Sequence, residues 1–327
     1  MPETAGHGLT MADAEYKAAG FGPLVHAIAI FAAVLASLAL SGVCARAQSA
    51  GIGSSRLPDG MFADAENGFA PLDGRLRVSV TARRIIFNNL QEPSSFNPAA
   101  AYVPQTSGWE RYWSENELYA TVAYDLVSTG HFLMRPGLHL GVAAGTFTAR
   151  SEQAAFSETW ELETAFLWGP SLYAEARLHE NDGPFAAFGL DYFMAEAGER
   201  KESIGSSRSS GSSPEDRDAR FRWTRLEASL AAGWRFGPFI PRLGLRYRDF
   251  RLEKTLTHHV SPAGATGEGL ALITALNSAP SRYSYRAATP VVPFAEVSFT
   301  PIPNVRLCGA AILSTDQDFS LEAVFRF

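Results

Sequence analysis

The sequence predicts an all-β chain, an antiparallel up-and-down transmembrane β-barrel of about ten strands, with roughly eight to twelve compatible with the pattern. Three observations predict it. Apolar and polar residues alternate with period two from residue 75 to the last residue, the mark of strands with two unlike faces. The long connections fall only on odd-numbered links. A single long apolar run sits near the N-terminus, where an export signal belongs.

That run, "LVHAIAIFAAVLASLALSGV" at residues 24–43, is followed by "ARAQ". The A-x-A spacing of Ala45 and Ala47 predicts cleavage after Ala47, which makes Gln48 the first residue of the exported chain. Residues 1–47 are thus read as a signal peptide. Residues 48–74, rich in Gly, Ser, Ala and Pro and without a period, are read as a flexible leader, and 75–327 as one barrel domain. The 327 residues contain two cysteines, of which only Cys308 lies beyond the signal, so no disulfide within the exported chain is expected. A formal charge of -6 and the absence of any Lys/Arg-rich run argue against a nucleic-acid partner.

Each strand has its own pattern. "RLRVSVTARRIIF" (75–87) sets Leu76, Val78, Val80 and Ala82 against Arg75, Arg77, Ser79 and Thr81. "ELYATVAYDLV" (117–127) sets Leu118, Ala120, Val122 and Tyr124 against Glu117, Tyr119, Thr121 and Asp125. "GLHLGVAAGTFTA" (137–149) alternates more weakly. "ETWELETAFLW" (158–168) places Trp160, Leu162, Thr164, Phe166 and Trp168 opposite Thr159, Glu161 and Glu163, and extends to about residue 180. After the turn "NDGP" comes "FAAFGLDYFMAEA" (185–197). "FRWTRLEASLAAGWRF" (221–236) puts Leu226, Ala228, Leu230, Ala232 and Trp234 against Arg225, Glu227, Ser229 and Arg235. "RLGLRYRDFRLEK" (242–254) pairs Leu243, Leu245 and Tyr247 against Arg242, Arg246 and Arg248. A strand over 283–299 is interrupted by Pro290 and Pro293, and "VRLCGAAIL" (305–313) and "FSLEAVFRF" (319–327) complete ten. No amphipathic helix is expected among them.

The links 88–116, 198–220 and 255–282 are long, and every even-numbered link is short. In a meander successive turns alternate ends, so all long loops are expected at one end, as in barrels with extracellular loops opposite periplasmic turns.

Alternation alone does not say which face is inward. A C-terminal strand with Phe319, Leu321, Ala323, Phe325 and the terminal Phe327 on one face resembles the assembly signal of bacterial outer-membrane β-barrel proteins. The resemblance in motif covers nine residues, and the strand pattern extends it over about 75–327. It implies residence in the bacterial outer membrane, with the lipid bilayer and the insertion machinery as partners. Apolar residues then face lipid and polar ones line the lumen.

On that reading the lumen carries a charged network of Arg77, Glu117, Asp125, Glu161, Glu163, Arg225, Glu227, Arg246, Arg248, Arg306, Glu322 and Arg326. A barrel of this size is narrow. The network either fills the interior as ion pairs or forms a constriction that passes small solutes. The function expected is therefore non-catalytic, structural or porin-like, with surface binding through the long loops and an external ligand as the alternative. Omptin-type proteases, also ten-stranded barrels, use paired acids and an Asp–His pair near the extracellular rim. Here Asp216 and Asp218 stand in one loop and His258 and His259 in another, but no Asp lies two residues before either histidine. A hydroxyl nucleophile at Ser261 lacks a recognisable acid partner, so no catalytic residue is assigned. Neither metal-ligand spacing nor a phosphate-cradling Gly loop is present, and no cofactor is expected.

Overall fold

The computed structural model describes residues 75–98, 109–151, 156–178, 182–206, 217–302, 304–314 and 316–327. The signal segment with Ala45, Ala47 and Gln48, the leader 48–74 and Asp216 lie outside the described residues. Among the described residues fourteen strands run in chain order. They are β1 (Leu76–Phe87), β2 (Gln91–Phe96), β3 (Trp109–Tyr124), β4 (Val127–Ser128), β5 (Phe132–Ser151), β6 (Phe156–Leu162) and β7 (Ala165–Arg177). There follow β8 (Gly183–Ser206), β9 (Arg217–Arg235), β10 (Phe239–His258), β11 (Ser281–Arg286), β12 (Val291–Ile302), β13 (Val305–Ile312) and β14 (Gln317–Arg326). A helix, α1 (Gly267–Ser278), interrupts the connection between β10 and β11.

These strands close a ring of ten positions, all antiparallel, in which β6 and β7 occupy one position end to end and β11 and β12 another. Pairing of β1 with β14, from Arg77 opposite Arg326 to Ile86 opposite Gln317, closes it. Closure is what permits a sheet to sit in lipid, because no edge is left with unpaired N–H and C=O groups. Among the described residues no helix is long and apolar enough to cross a membrane. The strand ends joined by the long connections lie at one end, here the loop end. The strand ends joined by the even-numbered short links, with the first and last residues of the sheet, lie at the other, the terminus end.

Along its axis the barrel divides into two tiers. In the tier at the terminus end the outward positions are apolar. Leu230 is 65% exposed, Leu243 64%, Phe166 62% and Leu321 54%. Outward alternation on β9 from Trp234 to Leu226, and on β14 from Phe327 to Phe319, runs about 27 Å along the strand, which is roughly 20 Å of height at a tilt of about 40°. Aromatic residues mark its lower edge, with Trp234 stacked on Phe236 at 5.7 Å and Phe239 on Phe299 at 4.8 Å between ring centroids. Tyr124, Phe132 and Phe327 add to the same edge. Such rings prefer the interface, where an apolar body meets polar headgroups.

The tier at the loop end has the opposite polarity. Its outward positions are mostly polar and include Arg84, Asn116, Thr146, Glu161, Glu196, Arg222, Asp249 and Arg251. Its inward positions are Ile85, Phe87, Trp113, Phe147, Trp160, Phe221, Trp223, Phe250, Leu252 and Tyr285, which form one buried cluster. This tier is built like a water-soluble barrel. Strand β2 pairs with β11, and Leu90 N–H donates to the Arg111 carbonyl at 2.7 Å, so β2 bridges toward β3 above the ends of β13 and β14.

The change of tier explains one departure from the expected pattern. Trp160 and Leu162 face inward, whereas Phe166 and Trp168 face outward, although all four share one parity. The pairing with β8 shifts register between Glu161 and Leu162, and the strand is interrupted at Glu163 and Thr164, where Glu163 N–H donates to the Gly198 carbonyl at 3.1 Å. One break flips every later side chain to the other face. Glu161 and Glu163, expected in the lumen, therefore lie outside it, with Glu161 opposite Lys201. Glu158, which shares parity with Trp160, faces in instead. Helix α1 is a second departure. It carries Leu270, Leu272, Ile273 and Leu276 without a polar–apolar division, and none of its residues is buried.

Room for the aromatic core comes from small residues on facing strands. A Cβ at Gly145 would stand 2.4 Å from the Trp113 ring, so only glycine lets that indole lie flat against β5.

Candidate functional site: a charged belt and a vestibule inside the barrel

Where the two tiers meet, the interior carries a belt of buried charge. Arg83 reaches Asp318 (Nε to Oδ1, 2.8 Å) and Glu227 (2.7 Å). Arg225 donates to Glu117 at 2.7 and 2.9 Å and to Glu115 at 3.2 Å, with Glu227 2.9 Å from its Nε. Arg248 holds Asp316 at 2.8 Å, and Arg246 lies 3.4 Å from Asp318 and 3.7 Å from Glu227. Four arginines thus face five carboxylates, and the indole N–H groups of Trp223 (2.6 Å) and Trp113 (3.2 Å) satisfy Glu115 from above. Arg225, Glu115 and Glu117 are fully buried. Buried charges persist only when paired and hydrogen-bonded; here Glu115, Glu227 and Asp318 are each shared between donors on different strands, and Glu117 takes two hydrogen bonds from Arg225. The guanidinium planes also lie over rings, Arg225 4.5 Å from Phe193 and Arg248 4.8 Å from Phe87.

Above the belt the aromatic cluster spans the lumen. Phe87 stacks on Phe250 at 4.4 Å, Trp113 meets Trp223 at 5.1 Å, and Phe147 meets Tyr285 at 5.0 Å. The buried Lys254 sits in this cluster, its ammonium 2.8 Å from Glu158 and 4.1 Å from the centre of the Trp160 ring. These contacts join β1, β3, β5, β6, β9, β10 and β11, so the loop-end lumen is packed across its full width.

Below the belt lies a vestibule of about 280 Å³, running from Asn304 in the terminus-end turn up to Arg83 and Glu227. Its walls combine charged and aromatic side chains with small residues, among them Ser79, Ser171, Gly189, Ser229 and Ser320. Arg77 (2.9 and 2.7 Å) and Arg135 (2.5 Å) share Asp125. Arg177 (2.6 Å), Arg235 (2.5 Å) and the Tyr173 hydroxyl (2.6 Å) share Glu175. Arg242 pairs with Glu296 and donates to Tyr173 at 3.2 Å. On one wall Thr121 lies 2.8 Å from His139 Nδ1, and His139 Nε2 lies 3.0 Å from Asp191, with the imidazole stacked on Phe193 at 4.6 Å.

Of the residues expected in the lumen, Arg77, Glu117, Asp125, Arg225, Glu227, Arg246, Arg248, Arg306, Glu322 and Arg326 point inward. They divide between two sites, with Glu117, Arg225, Glu227, Arg246 and Arg248 in the belt and the others in the vestibule. Arg83, Glu115, Asp316 and Asp318 were missed in the belt, and Arg135, Glu175 and Glu296 in the vestibule, while Arg235 and Arg242 lie on the polar strand faces expected to line the lumen. Parity would have found Arg83, Glu115 and Asp318, because each continues an alternating series of inward positions. Phe319, Leu321, Ala323, Phe325 and Phe327 face outward on the closing strand, and Phe327 N–H donates to the Leu76 carbonyl at 3.0 Å. Asp218 and His259 meet at the loop end, 3.2 Å apart, on side chains 81% and 59% exposed. Among the described residues no group of three or more His, Cys, Asp or Glu is placed to hold a metal ion.

A closed antiparallel ring with an apolar belt outside and paired charge inside defines an integral membrane β-barrel. No protein-family pattern matches the chain, and no characterised protein matches it in sequence. Solved structures similar in architecture include the outer membrane protease OmpT of Escherichia coli, at 10% identity and a TM-score of 0.42 over 80% of this chain and 100% of that one. The transport unit of the autotransporter AIDA-I of Escherichia coli matches at 10% identity and a TM-score of 0.39, over 84% and 99%. The outer membrane protein OprG of Pseudomonas aeruginosa matches at 9% identity and a TM-score of 0.37, over 77% and 96%.

Proposed function

We propose that this protein is a non-catalytic, integral β-barrel of the bacterial outer membrane that conducts no solutes, anchoring a folded, water-facing tier at the cell surface. One observation carries the reading. The aromatic cluster and the charge belt together fill the lumen, with Trp113, Trp160, Phe87, Phe147, Phe221 and Phe250 each at most 1% exposed. Ions crossing such a barrel would have to separate buried Arg–carboxylate pairs and displace a dry core, and each step is costly. The terminal strand, apolar outward and ending on Phe327, suits recognition by the outer-membrane insertion machinery. The outward apolar band and its aromatic edge suit a bilayer on the outside. The experiment is single-channel recording from the refolded chain in a planar bilayer. Inserted protein should give no steady current steps. Ohmic steps whose ion selectivity changes in Arg246→Gln would instead restore a porin-like passage.

A further inference from the structure

The outward face above the apolar band is not uniform around the barrel. On β9, β10 and β11 it carries the exposed side chains of Arg220, Arg222, Arg251, Arg282 and Arg286. Arg251 stands directly opposite Arg286, and further along β10 Thr255 stands between Arg220 and Arg282. Cross-strand neighbours are about 5 Å apart, and like charges so placed destabilise a sheet. Arg251 pairs with Asp249 at 2.7 Å, yet its side chain stays 51% exposed. Among the described residues Arg220, Arg282 and Arg286 make no ion pair. Glu196 and Glu253 both stand opposite Arg222, which donates to the Met194 sulfur at 3.4 Å. On β3, β5 and β6 the outward rows above the band run Ser114–Thr146–Glu161 and Tyr112–Thr148–Thr159, without an arginine. The height of the patch is set by the strands. Leu226 is the last apolar outward residue on β9 and Tyr247 the last on β10. Arg251 follows Tyr247 by about 13 Å along the strand, roughly 10 Å of height at a tilt of about 40°. That is the depth of polar headgroups, within reach of a long, flexible arginine side chain.

We propose that this face of β9, β10 and β11 binds the phosphate groups of anionic lipid headgroups in the surrounding leaflet, with Arg251 and Arg286 as the first contacts and Arg220 and Arg282 above them. Two features decide the partner. Guanidinium forks grip phosphate oxygens through paired N–H···O bonds, and a shared phosphate relieves the repulsion between Arg251 and Arg286. The patch is also continuous with the lipid-facing surface. Directly below it Tyr247 stands opposite Val291, both outward and exposed, so a lipid can lay its chains on the band while its phosphate meets the arginine row. Basic clusters at the membrane edge draw anionic lipids in this way. A soluble anion would use the arginines and leave the apolar surface below them unused. Such a site needs only a bilayer around the apolar band. It goes beyond the closed-anchor reading and holds whether or not the lumen conducts.

The test uses the full chain refolded in uncharged detergent, with heat-modifiable gel migration confirming a closed barrel. Native mass spectrometry of the protein titrated with lipid in mixed micelles should show phosphatidic acid retained in preference to phosphatidylcholine. Replacing both residues of the lower row, Arg251→Gln with Arg286→Gln, should weaken that retention about tenfold to thirtyfold, the worth of two cations beside an anionic headgroup. Arg150→Gln, exposed on β5 away from the patch, should retain phosphatidic acid as the parent does. Should the double variant fail to close, Arg220→Gln with Arg282→Gln, in the upper row, should show a loss of the same sign. Equal retention of the two lipids would overturn the proposal, and so would undiminished retention in a closed double variant. Inositol hexakisphosphate binding as tightly as phosphatidic acid would overturn it too, assigning the arginines to a soluble polyphosphate instead of a lipid.

Discussion

The two tiers of this barrel share most of their strands, with β2 standing above the ends of β13 and β14 at the loop end, yet they solve opposite solvent problems. At the terminus end Leu230, Leu243 and Leu245 point out while Arg242, Arg246 and Ser229 point in. A few residues further along the same strands, Arg222, Asp249 and Arg251 point out while Trp223, Phe250 and Leu252 point in. Strand pairing continues across the boundary without a break on β9 and β10, so the backbone does not register the change. The lesson is that backbone pairing closes a sheet, while side-chain polarity on each face decides which solvent it meets. The charge belt sits at the crossover because it is the one height where neither a lipid-facing exterior nor an apolar interior is complete.

The comparison can be broken or sharpened by substitution, with stability read as denaturant unfolding in micelles by tryptophan fluorescence. The largest effect is expected at the crossover. Arg225→Ala leaves Glu115, Glu117 and Glu227 without their shared cation and should cost about 3–5 kcal/mol, a loss seen as a lower unfolding midpoint. A midpoint equal to the parent's would mean the belt is hydrated and not sealed. Trp223→Ala removes a ring that packs on Trp113 and donates to Glu115, and a deletion of this size in a packed core costs about 3–5 kcal/mol. An unchanged midpoint there would refute the dry core. A matched pair on β9 tests polarity directly. Leu230→Arg places a charge on the lipid face and should cost about 2–4 kcal/mol. Arg222→Leu, outward in the other tier, should leave the midpoint where it was. If the two substitutions had equal effects, the tiers would share one solvent.

Much of the fold was legible in the sequence because the period-two signal is local. Each of the ten ring positions corresponds to a stretch where alternation is visible, and the outward set on β14 follows from parity alone. The ends of the ring positions were less legible. The flip between Leu162 and Ala165 has no marker in "ELETAF", since Glu163 and Thr164 fit either face. Glu161 and Glu163 were placed inside by extending an alternation across a break that only pairing with β8 reveals. Helix α1 was missed because "GEGLALITALNS" has neither a strand period nor an amphipathic one.

By itself the sequence determined the class of architecture, the strand faces, the end that carries the long connections and the presence of abundant Arg and Glu on one face. These are properties of neighbours in the chain, set by the alternation of Cβ directions along a strand. The tertiary structure alone decided which charges meet. Arg83 and Asp318 are 235 residues apart, and Arg225 and Glu117 are 108 apart. It also decided that the aromatic residues at the loop ends of seven strands converge into a core that closes the lumen, while the arginines at the other end line an accessible cavity. Ring closure is the physical reason. It brings distant strands to face one another across an interior only a few side chains wide, and no local pattern encodes which residues then share the same height.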